Sequence, residues 1–356
     1  MKLLRAVVGF LAKHLRVIAG VVVAALTMYF LYKTVESLNP ADVWEKFVRA
    51  EYWWIIPGVA VYFLAVGART WRWHYLLRPL KSIPLRRLFP MVVIGYMGNN
   101  IYPARAGEVL RSYVLKRQDG VSISASLATV LIERIFDGVV MLLFVFIALP
   151  LTPNLSDEIR YTVIFGSLAF FGALVVFLVL AARPADATRL SGWAIQRLLP
   201  ERFREKALSL AERFLHGLAS LRRPRDVLMV FVTSVVIWLT ETVKYWFVMH
   251  AFRFQVDFYV LMLMNGVVNL ATTIPTILPG YIGTFDVPGI KVLALFGVPE
   301  ATGTAYTVVL HAALWLPPTL LGAWYMARMG LSWRKVQAEW QPEDAQPTPP
   351  AEGRPT

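Results

Sequence analysis

NNIYPARAGEVLR, residues 99–111, is a polar stretch broken by proline and glycine inside a strongly hydrophobic chain. Pro103, Arg105, Gly107, Glu108 and Arg111 do not suit an ordinary membrane-spanning helix. A charged side chain at the bilayer centre costs roughly 2.5–3.5 kcal/mol or more unless it is paired or wet. Pro and Gly also interrupt the backbone hydrogen-bond ladder, which hydrocarbon cannot repair. Broken backbone at membrane depth is tolerated only where it is buried in protein or lines a cavity. The stretch therefore predicts broken helices set among spanning ones, with a polar site at the break.

The rest of the composition agrees with a membrane setting. The 356 residues are 57% hydrophobic and 17% charged, and the mean hydropathy is +0.55. A soluble domain could not bury that much apolar surface, so the reading is an all-α polytopic membrane protein. The net charge of +13 is spread between apolar runs. It reads as membrane orientation, and no basic folded module suggests a nucleic-acid partner. Cysteine is absent, which removes disulfides, thiol nucleophiles and Cys-ligated metals. The histidines, at 14, 74, 216, 250 and 311, have no local metal spacing. Asp-x-Asp, Walker A and His-Glu-x-x-His motifs do not occur. Neither a cofactor nor an enzyme is expected, although a few membrane Asp, Arg and His residues can serve lipid-modifying enzymes.

Six segments are long and apolar enough to span: 17–34, 53–70, 122–149, 160–182, 227–250 and 302–327. Two more, 88–104 and 258–298, are interrupted by Pro and Gly and suit re-entrant hairpins. Loop charges support this arrangement. The 69–87 loop carries Arg69, Arg72, Arg78, Lys81, Arg86 and Arg87 without an acid, so it reads as cytoplasmic. Arg105, Arg111, Lys116 and Arg117 extend the pattern, while 36–51 and 150–160 are acidic and read as external. Both termini then fall in the cytoplasm of a prokaryotic cell. Lys2 and Arg5 imitate a signal peptide, but Lys13 and Arg16 interrupt its apolar core, so the first span reads as uncleaved.

The predicted organisation is a cytoplasmic stretch 1–16, a transmembrane unit 17–330 and a disordered Pro-rich tail 331–356. Within the 183–225 loop, Phe203, Ala207, Leu210, Phe214, Leu218 and Leu221 recur at helical spacing. They predict an amphipathic helix on the membrane surface or a solvated connector.

Pro103-x-x-x-Gly107 echoes Pro279-x-x-x-Gly283, and each is followed by an acid, Glu108 or Asp286. Two readings stay open: an inverted repeat of the kind seen in secondary transporters, and chance similarity in Ala/Val/Leu-rich sequence. Glu133, Arg134 and Asp137 place three ionisable groups within about one turn of a span, on adjoining faces. They predict either a functional site or a structural ion pair between helices. Arg105, Arg111 and Arg134 together could form a cationic pocket whose guanidinium forks suit phosphate oxygens. Their alternative is positive-inside anchoring. Glu241 and Lys244, three apart, are expected to neutralise each other. His311 lies mid-span and reads as a hydrogen-bonded core residue or a proton-linked one. Tyr281 and Asp286 read as the polar tips of the second hairpin.

The ordered set Asn99-Asn100-x-x-Pro103-x-Arg105-x-Gly107-Glu108-x-x-Arg111, Glu133-Arg134-x-x-Asp137 and Pro279-Gly280-x-x-Gly283-Thr284-x-Asp286 resembles one family. It is similar to the membrane domain of lysylphosphatidylglycerol synthases, the flippase part of MprF-type proteins and their stand-alone YbhN-like relatives. The resemblance covers roughly residues 10–330. It implies a lipid transporter or flippase fold acting on phospholipids or polyprenyl-phosphate lipids. It carries a substrate role onto Asn100, Pro103, Arg105, Gly107, Glu108, Arg111, Glu133, Arg134, Asp137, Gly283 and Asp286; the residue reading adds His311. Asp286 stands where the family commonly has Glu. The synthases' soluble aminoacyl-transferring domain has no counterpart here, so lysyl-lipid synthesis by this chain alone is not expected. The expected partners are lipids with a phosphate-bearing head group. Further copies of the chain, or a lipid-synthesis complex in which it is a non-transporting subunit, remain open.

Overall fold

Asn39 opens the first described helix by accepting a hydrogen bond from the Ala41 amide at 3.1 Å, with Pro40 pre-set for the first turn. The computed structural model describes residues 39–102, 105–152, 157–198, 224–273 and 279–331, with isolated positions elsewhere. The expected first span 17–34, Pro103, most of the 203–221 pattern and the tail from 332 lie outside the described residues.

In chain order the helices are α1 (Pro40–Arg49), α2 (Ile55–Leu77), α3 (Leu85–Ile101), α4 (Ala106–Asp119), α5 (Ile123–Ala148) and α6 (Asp157–Ala182). They continue as α7 (Pro184–Leu198), α8 (Pro224–Ala251), α9 (Phe258–Ala271), α10 (Asp286–Leu295) and α11 (Glu300–Arg328). Among the described residues, three helical stretches are long and apolar enough to cross a membrane: Tyr52–Leu77, Arg225–Ala251 and Glu300–Arg328. α5 has the length, at 26 residues, but carries Glu133, Arg134 and Asp137 around its middle.

α2 corrects one expectation. The sequence reading ends a span at residue 70 and places Arg69 and Arg72 in a cytoplasmic loop. Instead α2 continues to Leu77, and both arginines are buried within it. Three residues apart, they share a helix face. Carboxylates on α5 and α8 meet that face, so both arginines are paired inside the bundle.

Both broken segments form helix–turn–helix units whose arms pack on each other, α3 on α4 and α9 on α10. The first turn brings backbone against backbone. A Cβ on Gly107 would lie 1.9 Å from the Gly95 carbonyl oxygen and 2.4 Å from the Asn99 amide nitrogen, so only glycine fits. Arg105 enters α4 in the left-handed region (φ 55°). In the second turn Tyr281 does the same (φ 62°). A non-glycine residue there costs about 1–2 kcal/mol, and such conformations persist where the surroundings fix them. Each turn therefore holds one polar residue in a strained backbone conformation.

The apolar core has two main parts. One gathers Tyr245, Val248, Leu261, Met264, Tyr306 and Leu310. The other gathers Trp73, Leu88, Met91, Ile94, Leu110 and Val114. Leu314 packs against both and also lines the polar chamber described next.

Candidate functional site

Asp137 is the hub of a buried ion network. It takes a two-pronged pair from Arg72 at 2.7 and 3.3 Å and a bond from the Trp238 indole at 2.9 Å. Arg134 stands 3.5 Å away and Arg69 4.0 Å. Arg72 also donates to Ser234 and lies 3.8 Å from Glu133, which pairs with Arg111. Arg69 donates to Glu241 at 3.1 Å, and Glu241 in turn pairs with Lys244, as the three-residue spacing predicts. Arg134 approaches Glu108 at 3.3 Å, and Glu108 approaches Arg105 at 3.6 Å.

These contacts form one connected set drawn from α2, α4, α5 and α8. Six cations (Arg69, Arg72, Arg105, Arg111, Arg134, Lys244) face four carboxylates (Glu108, Glu133, Asp137, Glu241), leaving two formal positive charges uncompensated. Aromatic faces soften part of that excess. Arg69 lies over Trp238 at 4.6 Å, Lys244 over Tyr62 at 4.6 Å and Arg111 over Trp73 at 4.8 Å. Uncompensated charge in a low-dielectric interior is costly, so the arrangement favours an added anion.

A chamber of about 400 Å³ opens beside the network. Arg69, Arg105, Arg134 and Lys244 reach its wall, with Glu108, Asp137 and Glu241 among them. Arg105 projects from the first turn, donates to the Thr272 carbonyl at 3.3 Å and keeps a buried Nε without a hydrogen-bond partner. A second cavity, about 490 Å³ and lined mainly by apolar side chains such as Ile282, Ile290 and Val308, adjoins it. Ile282 and Val308 are each 44% exposed, so this cavity opens at the outside of the bundle. Asn100, His311 and Trp315 line both spaces. Asn100 donates to the Trp315 carbonyl at 3.1 Å and to Thr319 at 2.9 Å, and the Trp315 indole donates back to the Asn100 carbonyl at 3.2 Å.

A family model for the lysylphosphatidylglycerol synthase TM region matches residues 17–322. The chain belongs to this family. A UPF0104 membrane protein of Methanothermobacter thermautotrophicus is 24% identical over 331 residues, covering 88% of this chain and 94% of the relative. A UPF0104 membrane protein of Pyrococcus horikoshii is 21% identical over 329 residues, covering 87% and 95%. Glycosyltransferase AglD of Haloferax volcanii is 25% identical over 337 residues, covering 85% of this chain but 52% of that protein. The protein is thus a helical membrane protein of the lysylphosphatidylglycerol synthase membrane-region family.

The residues singled out from the sequence separate into groups within this family member. Asn100, Arg105, Glu108, Arg134, Asp137 and His311 line the chamber. Arg111 and Glu133 pair behind its wall. Gly107 closes the first turn. Gly283 donates its amide to Asp286 at 2.9 Å, and Asp286 faces His311 and the apolar cavity. Sequence reasoning left Arg69 and Arg72 out of the site and read Glu241 and Lys244 only as a mutually neutralising pair. The signal was available in the common spacing: Arg69-x-x-Arg72 and Glu241-x-x-Lys244 each put two charges on one helix face.

Proposed function

We propose that the protein is a transporter that moves a phosphate-bearing lipid between the leaflets of a prokaryotic cell membrane. The lipid class is anionic, aminoacylated or polyprenyl-phosphate. One observation carries the reading: an ion network two positive charges in excess, part of it facing the chamber, borders a space of about 400 Å³ in a membrane-family protein. A phosphate group supplies the missing anion. Guanidinium forks on Arg105 and Arg134 match its oxygens, while Glu108 and Asp137 hold the forks in place when the chamber is empty. The protein acts on the lipid by position and charge and performs no chemistry on it.

The two helix–turn–helix units fit this reading as re-entrant hairpins. Their arms have 17, 14, 14 and 10 residues. At 1.5 Å per residue none exceeds about 25 Å, short of the roughly 30 Å hydrocarbon core. Six spans with both termini cytoplasmic, and hairpins entering from opposite faces as an inverted repeat, complete the arrangement.

The test is reconstitution in liposomes with labelled phosphatidylglycerol and a labelled polyprenyl phosphate. Wild-type protein should speed movement between leaflets, and Arg105→Ala and Arg134→Ala should each slow it at least about tenfold, the loss of one charge-assisted hydrogen bond. Unchanged rates in both variants would reject the site, and immobility of every phosphate-bearing lipid would reject the function. A second reading, an integral membrane enzyme acting on a lipid-linked sugar or phosphate, draws on the name of the Haloferax relative. Formation of product from such a lipid by the purified protein would favour it.

A further inference from the structure

His311 stands on α11 in the wall between the polar chamber and the apolar cavity. Both of its ring nitrogens face hydrogen-bond acceptors. Nδ1 lies 2.9 Å from Asp286 Oδ1, and Nε2 lies 2.6 Å from the Gly280 carbonyl oxygen. A carbonyl oxygen only accepts, so Nε2 carries a proton. The contact with Asp286 needs a second one. Either Nδ1 holds it and an imidazolium faces a carboxylate, or Asp286 holds it and a neutral acid donates to imidazole. In both arrangements the pair carries two protons and is electrically neutral.

With one proton fewer, one of the two contacts sets lone pair against lone pair at under 3 Å. Asp286 is not free to turn away, because its Oδ2 accepts the Gly283 amide at 2.9 Å. The Phe285 ring, 4.6 Å from the imidazole, packs His311 in place. Losing the proton therefore breaks a link between α11 and the 279–286 turn.

We propose that His311 and Asp286 form a proton-binding site, and that the bound proton latches α11 to this turn and keeps the polar chamber partitioned from the apolar cavity. The proton leaves to water, one contact opens, and a head group in the chamber gains a route to the apolar side. Proton binding rests on the pair's geometry alone; its effect on lipid movement rests on the transport reading above.

The pair lies within a field set by several elements. Facing the chamber with His311 are Tyr62 and Arg69 of α2, Tyr96 of α3, Arg105 and Glu108 at the start of α4, and Arg134 and Asp137 of α5. Glu241, Lys244 and Tyr245 of α8 and Tyr281 of the second turn complete the set, and α9 contributes only neutral side chains. α1, which packs on α11, keeps Asp42, Glu45 and Arg49 exposed. On α10, Lys291 is engaged by Glu300 at 2.9 Å.

Two measurements test the site. In full-length protein labelled with 15N-histidine in phosphatidylglycerol nanodiscs, His311 is identified by the signals lost in His311→Gln. The wild type should show a proton on or shared at both ring nitrogens, with one site losing it as pH rises. Asp286→Asn should leave Nδ1 bare, because the Asn amide can donate to it while its oxygen still accepts from Gly283. A bare Nδ1 in the wild type together with an ionised Asp286 carboxyl, read from its 13C shift, at every value from about pH 5 to 9 would overturn the proposal.

In liposomes carrying fluorescent phosphatidylglycerol, the wild-type rate should rise about tenfold between about pH 6 and 8.5, the effect of losing one charge-assisted bond. Asp286→Asn, whose latch has no proton to lose, should be slow and insensitive to pH. A variant that follows the wild-type pH curve would refute the latch. If no lipid moves at any pH, the transport reading fails and the NMR result still decides the proton site.

Discussion

Arg72 and Asp137, far apart in sequence, meet as a two-pronged ion pair at 2.7 and 3.3 Å, and both are 1% exposed. α2 supplies the guanidinium, α5 the carboxylate, and Ser234 and Trp238 of α8 bond the same two groups. Three helices are thereby joined at one point. Arg134, with a side chain 29% exposed, faces the same carboxylate at 3.5 Å from the chamber side. Asp137 thus links an arginine inside the bundle to one that reaches the chamber wall.

Removing one partner should expose the dependence. Arg72→Ala leaves Asp137 short of its best donor inside the bundle and should cost about 3–5 kcal/mol of stability. The double variant Arg72→Met with Asp137→Leu removes both charges and should cost less than either single alanine variant. Thermal unfolding in one fixed detergent measures both, and a double variant worse than the sum of the singles would contradict the pairing.

Gly107→Ala should be strongly destabilising, because the added methyl meets backbone atoms at 1.9 and 2.4 Å. Overpacking of this kind costs about 1–3 kcal/mol, and backbone obstacles put it at the upper end. Gly67→Ala is the control. Nothing lies within 4 Å of its Cβ position, and it sits inside a helix. It should raise stability by about 0.5–1 kcal/mol.

At Arg105 the left-handed backbone can be separated from the side chain. Arg105→Gly and Arg105→Ala delete the same guanidinium, but only glycine accepts φ 55° without strain. The glycine variant should be about 1 kcal/mol more stable than the alanine variant. Both should lose lipid movement equally. Equal melting points would show that the turn relaxes when the guanidinium is gone.

Glu51 and Arg253 test a link outside the spanning segments. The Arg253 guanidinium, bonded at 2.6 and 2.9 Å, holds the Glu51 carboxyl below the ordinary carboxylate range. A lowered carboxyl contributes stability above its unfolded value and loses it as pH falls through the folded one. Solvent screens this exposed pair, so the contribution is small. Wild type should lose a little more stability on acidification than Glu51→Gln, as read from melting midpoints across the acid range.

The breaks around NNIYPARAGEVLR and PGYIGTFD were legible because Pro, Gly and charge interrupt apolar runs, and helix–turn–helix units stand there. Glu133, Arg134 and Asp137 were legible as charges within a span. Their partners were not. Arg69 and Arg72 lie where a helix end and a cytoplasmic loop look alike, and counting loop charges treats every arginine as solvated. Burial depends on what α5 and α8 present to α2, which is long-range information. His311 and Asp286 were each noticed, but their pairing depends on how α11 passes the second turn, and spacing along the chain does not encode that.

The reciprocal bonds between Asn100 and Trp315 give the two cavities a common wall. A rigid clasp shared by two compartments means that neither can change shape independently. One distance, measured between labels on α3 and α11, would then report the state of both. Because the natural chain contains no cysteine, two introduced thiols would be the only ones to label.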